Sequence, residues 1–395
     1  MRKQEIDFIL EKLCDYYGEM VDIVFTVGRP MQVILWGELK PVYLKEVPIE
    51  SLTPFHTEKL ALVLIGNQKK LIDNLINLGY CDLAYSIPKA RFRVNIFSQR
   101  SNYSIVMRKF PIKIPTVEEL RLPEIVKEIA NERMGLILIT GATGSGKSST
   151  LAAILNIINE TRACHIITLE DPVEFLHPHK KATFNQREMG IDFSNYAEGL
   201  RAALRQSPHV ILVGEIRDNE TLEIAIQAAE TGHLVLSTMH TTDAGQTIGR
   251  IIGMLSPFSP ENENFIRLRV ADTLKWVICQ RLLPKIGGGR IVATEIMRKN
   301  LRIKDLIING ETVEKTFYDV IETSVAVGMH TFDQSIVDLY KRGLITEETA
   351  TAYASRKSTV IREIDKIKAQ KGEKTTDIEE LKIDTDYDKK LKWSR

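Results

Sequence analysis

The sequence predicts an α/β protein in two parts, a small mixed α/β domain followed by a larger one built on a mainly parallel sheet. Three observations predict it. Over Ala90–Phe97, Phe92, Val94 and Ile96 alternate with Arg91, Arg93 and Asn95, the period of two of a strand with one buried face. Beyond residue 124, short apolar runs alternate with stretches of helical period. Between these regimes lie Pro111, Pro115 and Pro123.

Residues 1–110 form the first domain. Met31–Trp36 reads as a strand, followed by a turn at Gly37 and a second short strand. The proline-punctuated stretch suits an extended linker over 111–123. In the second domain, 124–357, Leu136–Thr140 has the length of a buried strand. Leu151, Ile154, Leu155 and Ile158 then recur at the spacing of one helix face. His165–Leu169 and Val210–Val213 are further buried strands. Leu222, Ala225, Ile226 and Ala229 mark another helix face, and Leu234–Ser237 the next strand. Strands alternating with helices imply a parallel sheet covered on both sides. Residues 358–395 form a charged tail, where Val360, Ile361, Ile364 and Ile367 suggest a short amphipathic helix before a mobile end.

At 395 residues the chain can bury two cores. A net charge of +1 gives no general attraction to nucleic acid or anionic lipid. Apolar runs fall short of the roughly 18 residues of a membrane span, and the N-terminus lacks the apolar stretch of a secretory signal, so a cytoplasmic location is expected. Cys14, Cys81, Cys164 and Cys279 form no C-x-x-C pair and read as small core or surface residues.

Gly141-Ala-Thr-Gly-Ser-Gly146-Lys147-Ser148 fits G-x-x-x-x-G-K-[ST], with a strand before it and a helix after it. The glycines let successive N–H groups point at phosphates, and the helix N-terminus adds partial positive charge. Gly141, Thr143, Gly144, Ser145, Gly146, Lys147, Ser148 and Ser149 are therefore expected to hold ATP. Lys147 should reach the β- and γ-phosphates, and Ser148 should ligate Mg2+, with Glu215 and Asp171 as further, partly water-mediated ligands.

Acidic groups follow two of the strands. Glu170-Asp171-Pro172-Val-Glu174 comes after the second and Gly214-Glu215 after the third, where groups past strand ends line the ligand crevice of an open α/β sheet. Glu215 is favoured as the catalytic carboxylate, Glu174 stands second and Asp171 and Glu170 third, against the alternative of acids merely solvated at loop starts. His233 precedes the fourth strand and His240 follows it; a histidine past the strand end senses the γ-phosphate, couples it to a neighbouring subunit, or is simply a satisfied polar residue. His177, His179 and His330 read as structural. Arg91, Arg93, Arg100 and Arg108 make a basic strip with three readings: nucleic-acid binding, arginine fingers completing a neighbour's ATP site, or a solvated strand face.

Taken together, Gly141–Ser148, Thr168–Phe175, Asn185–Glu188, Ile211–Asp218 and Glu230–Thr242 resemble, in order, the motifs of the PilT/PilU family of type IV pilus retraction ATPases, within the secretion ATPases. These are the Walker A, Asp-box, Walker B and His-box motifs. Gly328–Gln334 and Leu339–Leu344 resemble the family's C-terminal region. The resemblance covers nearly all of residues 80–355. It implies a PAS-like N-terminal domain, a RecA-like P-loop ATPase domain and a homohexameric ring acting on an inner-membrane platform protein. It also implies a location peripheral to the inner membrane of a bacterium. In that family Glu215 is the Walker B glutamate, Glu174 the Asp-box acid, and Arg91, Arg93 and Arg108 lie where arginines contact nucleotide.

Extension ATPases of the superfamily usually carry a further N-terminal domain and a tetracysteine motif; neither is in this sequence, which favours retraction. Two family motifs are altered. Met20–Phe25 lacks the serine and histidine of A-S-D-L-H-L, and Arg302–Ile308 carries Lys304 and Asp305 in place of the arginine and asparagine of A-I-R-N-L-I-R. Leu176–Lys181, Gln280–Pro284 and the charged tail look more like PilU, whose members assist a PilT-type motor. The remaining alternatives are therefore an accessory ATPase and, against the near-neutral charge, a ring acting on nucleic acid.

Overall fold

The computed structural model describes residues 2–18, 20–35, 38–110, 113–256 and 263–372. Trp36, Gly37, Pro111 and the tail beyond 372 lie outside them.

The first 110 residues build an antiparallel sheet. Its strands are β1 (Asp22–Phe25), β2 (Met31–Leu35), β3 (Glu38–Val42), β4 (Tyr80–Ile87), β5 (Ala90–Gln99) and β6 (Asn102–Phe110), in the order β3-β2-β1-β6-β5-β4. Three helices complete it, α1 (Lys3–Tyr16), α2 (Pro54–Ile65) and α3 (Lys69–Leu78). Ile6, Ile9, Leu10 and Leu13 of α1 share one face and enter the same core as Phe92, Val94 and Ile96. The opposite face of β5 and β6 carries arginines. There Arg91, Arg93 and Arg108 stand together, because Arg93 pairs directly with Arg108 and Arg91 with Phe110.

The second sheet has seven strands, β7 (Gly135–Thr140), β8 (His165–Glu170), β9 (Thr183–Glu188), β10 (Val210–Val213), β11 (Leu234–Met239), β12 (Leu274–Pro284) and β13 (Arg290–Arg298). Their order is β13-β12-β7-β11-β10-β8-β9, parallel except for β13 against β12. Both faces are covered, which is why β7 is apolar from Leu136 to Ile139: Leu136 and Leu138 enter one core, Ile137 and Ile139 the other. The first core is closed by α5 (Tyr196–Ala203), α6 (Asn219–Glu230), α7 (Ala244–Leu255) and α8 (Glu263–Thr273), the second by α4 (Lys147–Thr161) and the 3-10 segment Glu124–Asn131. Val117 and Leu122, from the proline-rich stretch, are buried in that second core. Side chains cap the helices: Asn195 accepts from Glu198 N, Asp218 from Thr221 N and Asp243 from Gln246 N.

C-terminal helices α9 (Leu301–Asn309), α10 (Phe317–Glu322), α11 (Phe332–Lys341), α12 (Glu347–Tyr353) and α13 (Lys357–Lys371) pack beyond β13. The Val360–Ile367 periodicity forms α13, whose Val360 and Ile364 are fully buried. Buried Asp333 ties its start to α11, accepting from the amides of Ser355 (2.7 Å) and Arg356 (2.9 Å) and from the Tyr318 hydroxyl (2.8 Å).

The outer strands are closed in part by their own chain. Along β9, Phe184 N donates to His179 Nδ1 and Glu188 N to Asp192 Oδ2. Along β13, Thr294 N donates to Ser335 Oγ, and Ile296 exchanges backbone hydrogen bonds with His330. His177 stacks on Phe184 with ring centroids 4.5 Å apart, and His330 bonds Thr294 Oγ1, so all three of these histidines have structural settings.

Glu295 of β13 is 4% exposed and accepts the Ala244 amide at the start of α7 (2.8 Å). Burial pushes its carboxyl up to about 7. Between the ordinary 4.5 and about 7 the folded chain holds a proton that the unfolded chain has lost, so stability falls as pH rises through that window. Glu295→Gln is expected to remove this share of the slope, up to about 3 kcal/mol, in denaturant unfolding compared at pH 4.5 and 7.5.

Candidate active site

Four parallel strands, β7, β11, β10 and β8, lie side by side, and the chemistry-bearing residues follow their carboxyl ends. The loop after β7 carries the glycines. Gly141 has φ +139°, and a Cβ there would lie 2.4 Å from the Gln280 carbonyl oxygen, so only glycine fits. Gly146, at φ +95°, opens α4. Lys147 is buried, and its Nζ donates to the carbonyls of Gly141 (2.8 Å) and Ala142 (3.0 Å). Burial lowers its pKa, against the opposing charges of Glu215 and Glu174. The Ser145 hydroxyl is buried with no hydrogen-bond partner among the described residues. Thr143 and Ser148 are exposed, and Ser149 is half-buried. Beside the loop a cavity of about 310 Å³ is lined by Ser145, Gly146, Thr150, Gln280, Leu282 and Arg290.

Beyond β8 the chain turns through Asp171–Phe175, anchored by the buried side chains of Val173 and Phe175. Glu174 lies near enough to the Ser148 hydroxyl for that group to act on its carboxyl. Burial raises its pKa, partly offset by the Ser148 hydroxyl and by the charges of Arg93 and Lys147. Glu170 is pushed up to about 7 by burial while hydrogen-bonded to Thr168 (2.6 Å) and Gln186 (3.2 Å). Asp171 is exposed, and its charge falls on Tyr196 and Arg217.

Glu215 follows Gly214 just past the end of β10. Its backbone is fixed by Thr238, whose hydroxyl donates to the Gly214 carbonyl (2.8 Å) and whose carbonyl accepts Ile216 N (3.1 Å). Its carboxylate lies 3.0 Å from His240 Nε2 and 2.8 Å from Arg217 Nη2. Burial pushes this carboxyl up, but Arg217 and His240 more than offset it and hold it below the ordinary range. Glu174 and Glu215 are thus shifted in opposite directions at neighbouring positions.

His233 sits elsewhere. It precedes β11, about 20 Å along the strand from His240, and its Nδ1 lies 3.0 Å from the Ala228 carbonyl at the end of α6. The arginines of the first sheet have separate settings. Arg91 reaches the Asp171–Phe175 turn, binding the Val173 carbonyl and Glu188. Arg93 is half-exposed, with its charge acting on Glu174. Arg108 is held by buried Asp22 through two hydrogen bonds, of 2.8 and 3.2 Å.

Sequence reasoning missed Arg217, Tyr196, Gln280 and Glu188 as parts of this site. Arg217 was within reach, standing two residues from Glu215 in the sequence. Tyr196, whose hydroxyl would lie 2.9 Å from a Cβ on Gly214, and Gln280, which donates to Thr150 Oγ1 (2.7 Å), arrive from distant segments with no local signal.

A phosphate-binding loop at a sheet's carboxyl edge, faced by acids from the neighbouring strands, defines a P-loop ATPase of the α/β class. Residues 82–380 match the family model described as "Type II/IV secretion system protein", and the chain belongs to that family of ATPases. It is 40% identical over 333 residues to the type IV pilus retraction ATPase PilT of Pseudomonas aeruginosa, spanning 83% of this chain and 92% of the relative. With the type IV pilus ATPase PilU of the same organism it shares 37% over 335 residues, 84% and 85% of the two chains. A crystal structure of the pilus retraction motor PilT with bound ADP superposes with a TM-score of 0.82 at 40% identity, covering 90% of this chain and 99% of that one.

Gly141→Ala and Lys147→Ala are each expected to weaken ATP binding at least about tenfold, a loss of about 1.4 kcal/mol or more. Titration with a fluorescent ATP analogue measures this.

Proposed function

We propose that this chain is a mechanochemical motor of type IV pilus retraction, working as a homohexamer in the cytoplasm against an inner-membrane platform protein. The observation that carries the reading is the grouping of Lys147, Glu174, Glu215 and His240 past neighbouring parallel strands, in a chain similar over most of its length to a retraction ATPase.

In this reading the phosphates of ATP lie on the Gly141–Ser148 loop, within reach of Lys147. The adenosine end extends into the adjoining cavity, whose volume of about 310 Å³ suits it. Glu215, kept ionised, orients and polarises the attacking water, and His240 fixes its carboxylate while sensing the γ-phosphate. Glu174, with its raised pKa, is the complementary acid. Arg93 faces this site from the first sheet and supplies positive charge.

Hard oxygen donors also suit Mg2+: the Ser148 hydroxyl and the carboxylates of Glu215 and Asp171. Among the described residues no three acidic, histidine or cysteine side chains form a complete cage, so phosphate oxygens and water would fill the rest of the shell. Mg2+ supplies neutralisation of phosphate charge.

A PilU-like accessory role is the second reading, favoured by α9. Lys304 and Asp305 are each engaged locally, Lys304 with Asp272 (2.6 Å) and Asp305 with Lys315 (2.7 Å). The chain's similarity to PilU, 37%, is close to its similarity to PilT, 40%.

ATP turnover of the purified protein, measured against concentration with particle size in parallel, tests the proposal. A motor is expected to turn over faster as hexamers form, and Glu215→Gln to lose at least about a hundredfold in kcat. A well-formed hexamer that binds ATP yet turns over no faster than Glu215→Gln would favour the accessory role. Pilus retraction in cells lacking any PilT-type paralogue separates the two directly.

A further inference from the structure

The turn that carries Glu174 is held from the other sheet. Arg91 leaves the arginine-bearing face of β5, and its side chain is only 14% exposed. Nη1 donates to the Val173 carbonyl, and Nη2 donates to Glu188 Oε2 at 3.0 Å. The same Oε2 accepts the Val173 amide at 3.1 Å. Both polar backbone atoms of Val173 are therefore engaged, one by Arg91 and the other by the carboxylate that Arg91 binds. Glu188 is itself fixed, since its amide donates to Asp192 Oδ2 at 2.8 Å. Close by, Lys70 Nζ donates to the Gly190 carbonyl at 2.9 Å, a second grip from the first domain on the same segment.

Glu174 comes next in the chain, with its carboxylate against Ser148. One peptide unit separates the bracketed residue from the acid, so a shift of Val173 is carried to Glu174 through bonds that do not stretch. Arg91 also lies with its guanidinium over the Phe110 ring, 5.8 Å from the centroid, which limits its own rotation.

We propose that Arg91 and Glu188 are positioning residues, a bracket between the two sheets that sets Glu174 against Ser148. The placement of the acid then depends on how the first sheet sits over the second, and movement of one relative to the other engages or withdraws it. Arg91 acts through the Val173 backbone instead of touching nucleotide. The inference rests on the role given to Glu174 above.

The test uses the full-length protein with Arg91→Met, Glu188→Met and the double variant. Arg91→Met keeps the stem that packs on Phe110. Each single variant is expected to lower kcat by about tenfold or more while nucleotide Kd stays within about twofold, and the double variant to be no slower than the slower single. Amide hydrogen exchange over residues 173–175 should quicken in both. Arg91→Lys, which keeps the charge but cannot make both contacts, should fall between parent and Arg91→Met. Should one variant fail to fold, the other reads kcat, Kd and exchange independently.

Weaker nucleotide binding in Arg91→Met together with a parental kcat in Glu188→Met would overturn the bracket and place Arg91 on the nucleotide. Losses that multiply in the double variant would overturn it as well. Glu174→Gln tells the two readings apart. If it turns over as fast as the parent, the acid's role falls and the bracket with it. If it is slow while the bracket variants keep parental kcat, the bracket alone falls.

Discussion

Parallel pairing of four strands is the constraint on which the site depends. Thr140 pairs with Met239, Ser237 with Val213, and Val213 with Leu169, so β7, β11, β10 and β8 end close to one level. Neighbouring strands lie about 4.8 Å apart, so residues leaving these ends gather in one row without any long side chain having to reach. The row needs a buried sheet, and the sheet is buried because its strands are apolar on both faces. The N-terminal ends of the same strands lie well away from this row, and that is where His233 stands.

The legibility of the sequence follows from the same physics. β7, β8, β10 and β11 stand out because strands covered on both sides are largely apolar, and a glycine or acid marks where the first three stop and His240 where β11 does. β9 did not stand out: Thr183-Phe-Asn-Gln-Arg-Glu188 is an edge strand that spends its side chains on capping and on the site. β12 was also hidden, because α8 runs into it at Thr273–Leu274 with no glycine or proline between. Within the site, Gly141–Ser148 was legible because phosphate binding by backbone demands a local pattern. Partners that meet only through the fold, such as Gln280 with Thr150 or Arg91 with Val173, leave no trace in spacing. Glu295 carries no mark in the sequence, and only its burial sets it apart.

Charge is distributed to serve the acids differently. Glu215 is met by Arg217 from its own strand end and by His240 from the next, so it stays ionised despite partial burial. Glu174 has a hydroxyl and more distant charges, and burial prevails. A single displaced arginine would change one of these settings without altering the other, because Arg217 and Arg93 come from different sheets.

The partly occupied outer strands have a consequence at the sheet's rim. An open strand edge is a template on which another chain can add a strand and extend the sheet without limit. Here each rim of the seven-stranded sheet is occupied in part, by His179 and Asp192 at β9 and by Ser335 and the His330 backbone at β13. At these positions the backbone already has its partners, so the rim of this sheet presents side chains there instead of a bare row of amides.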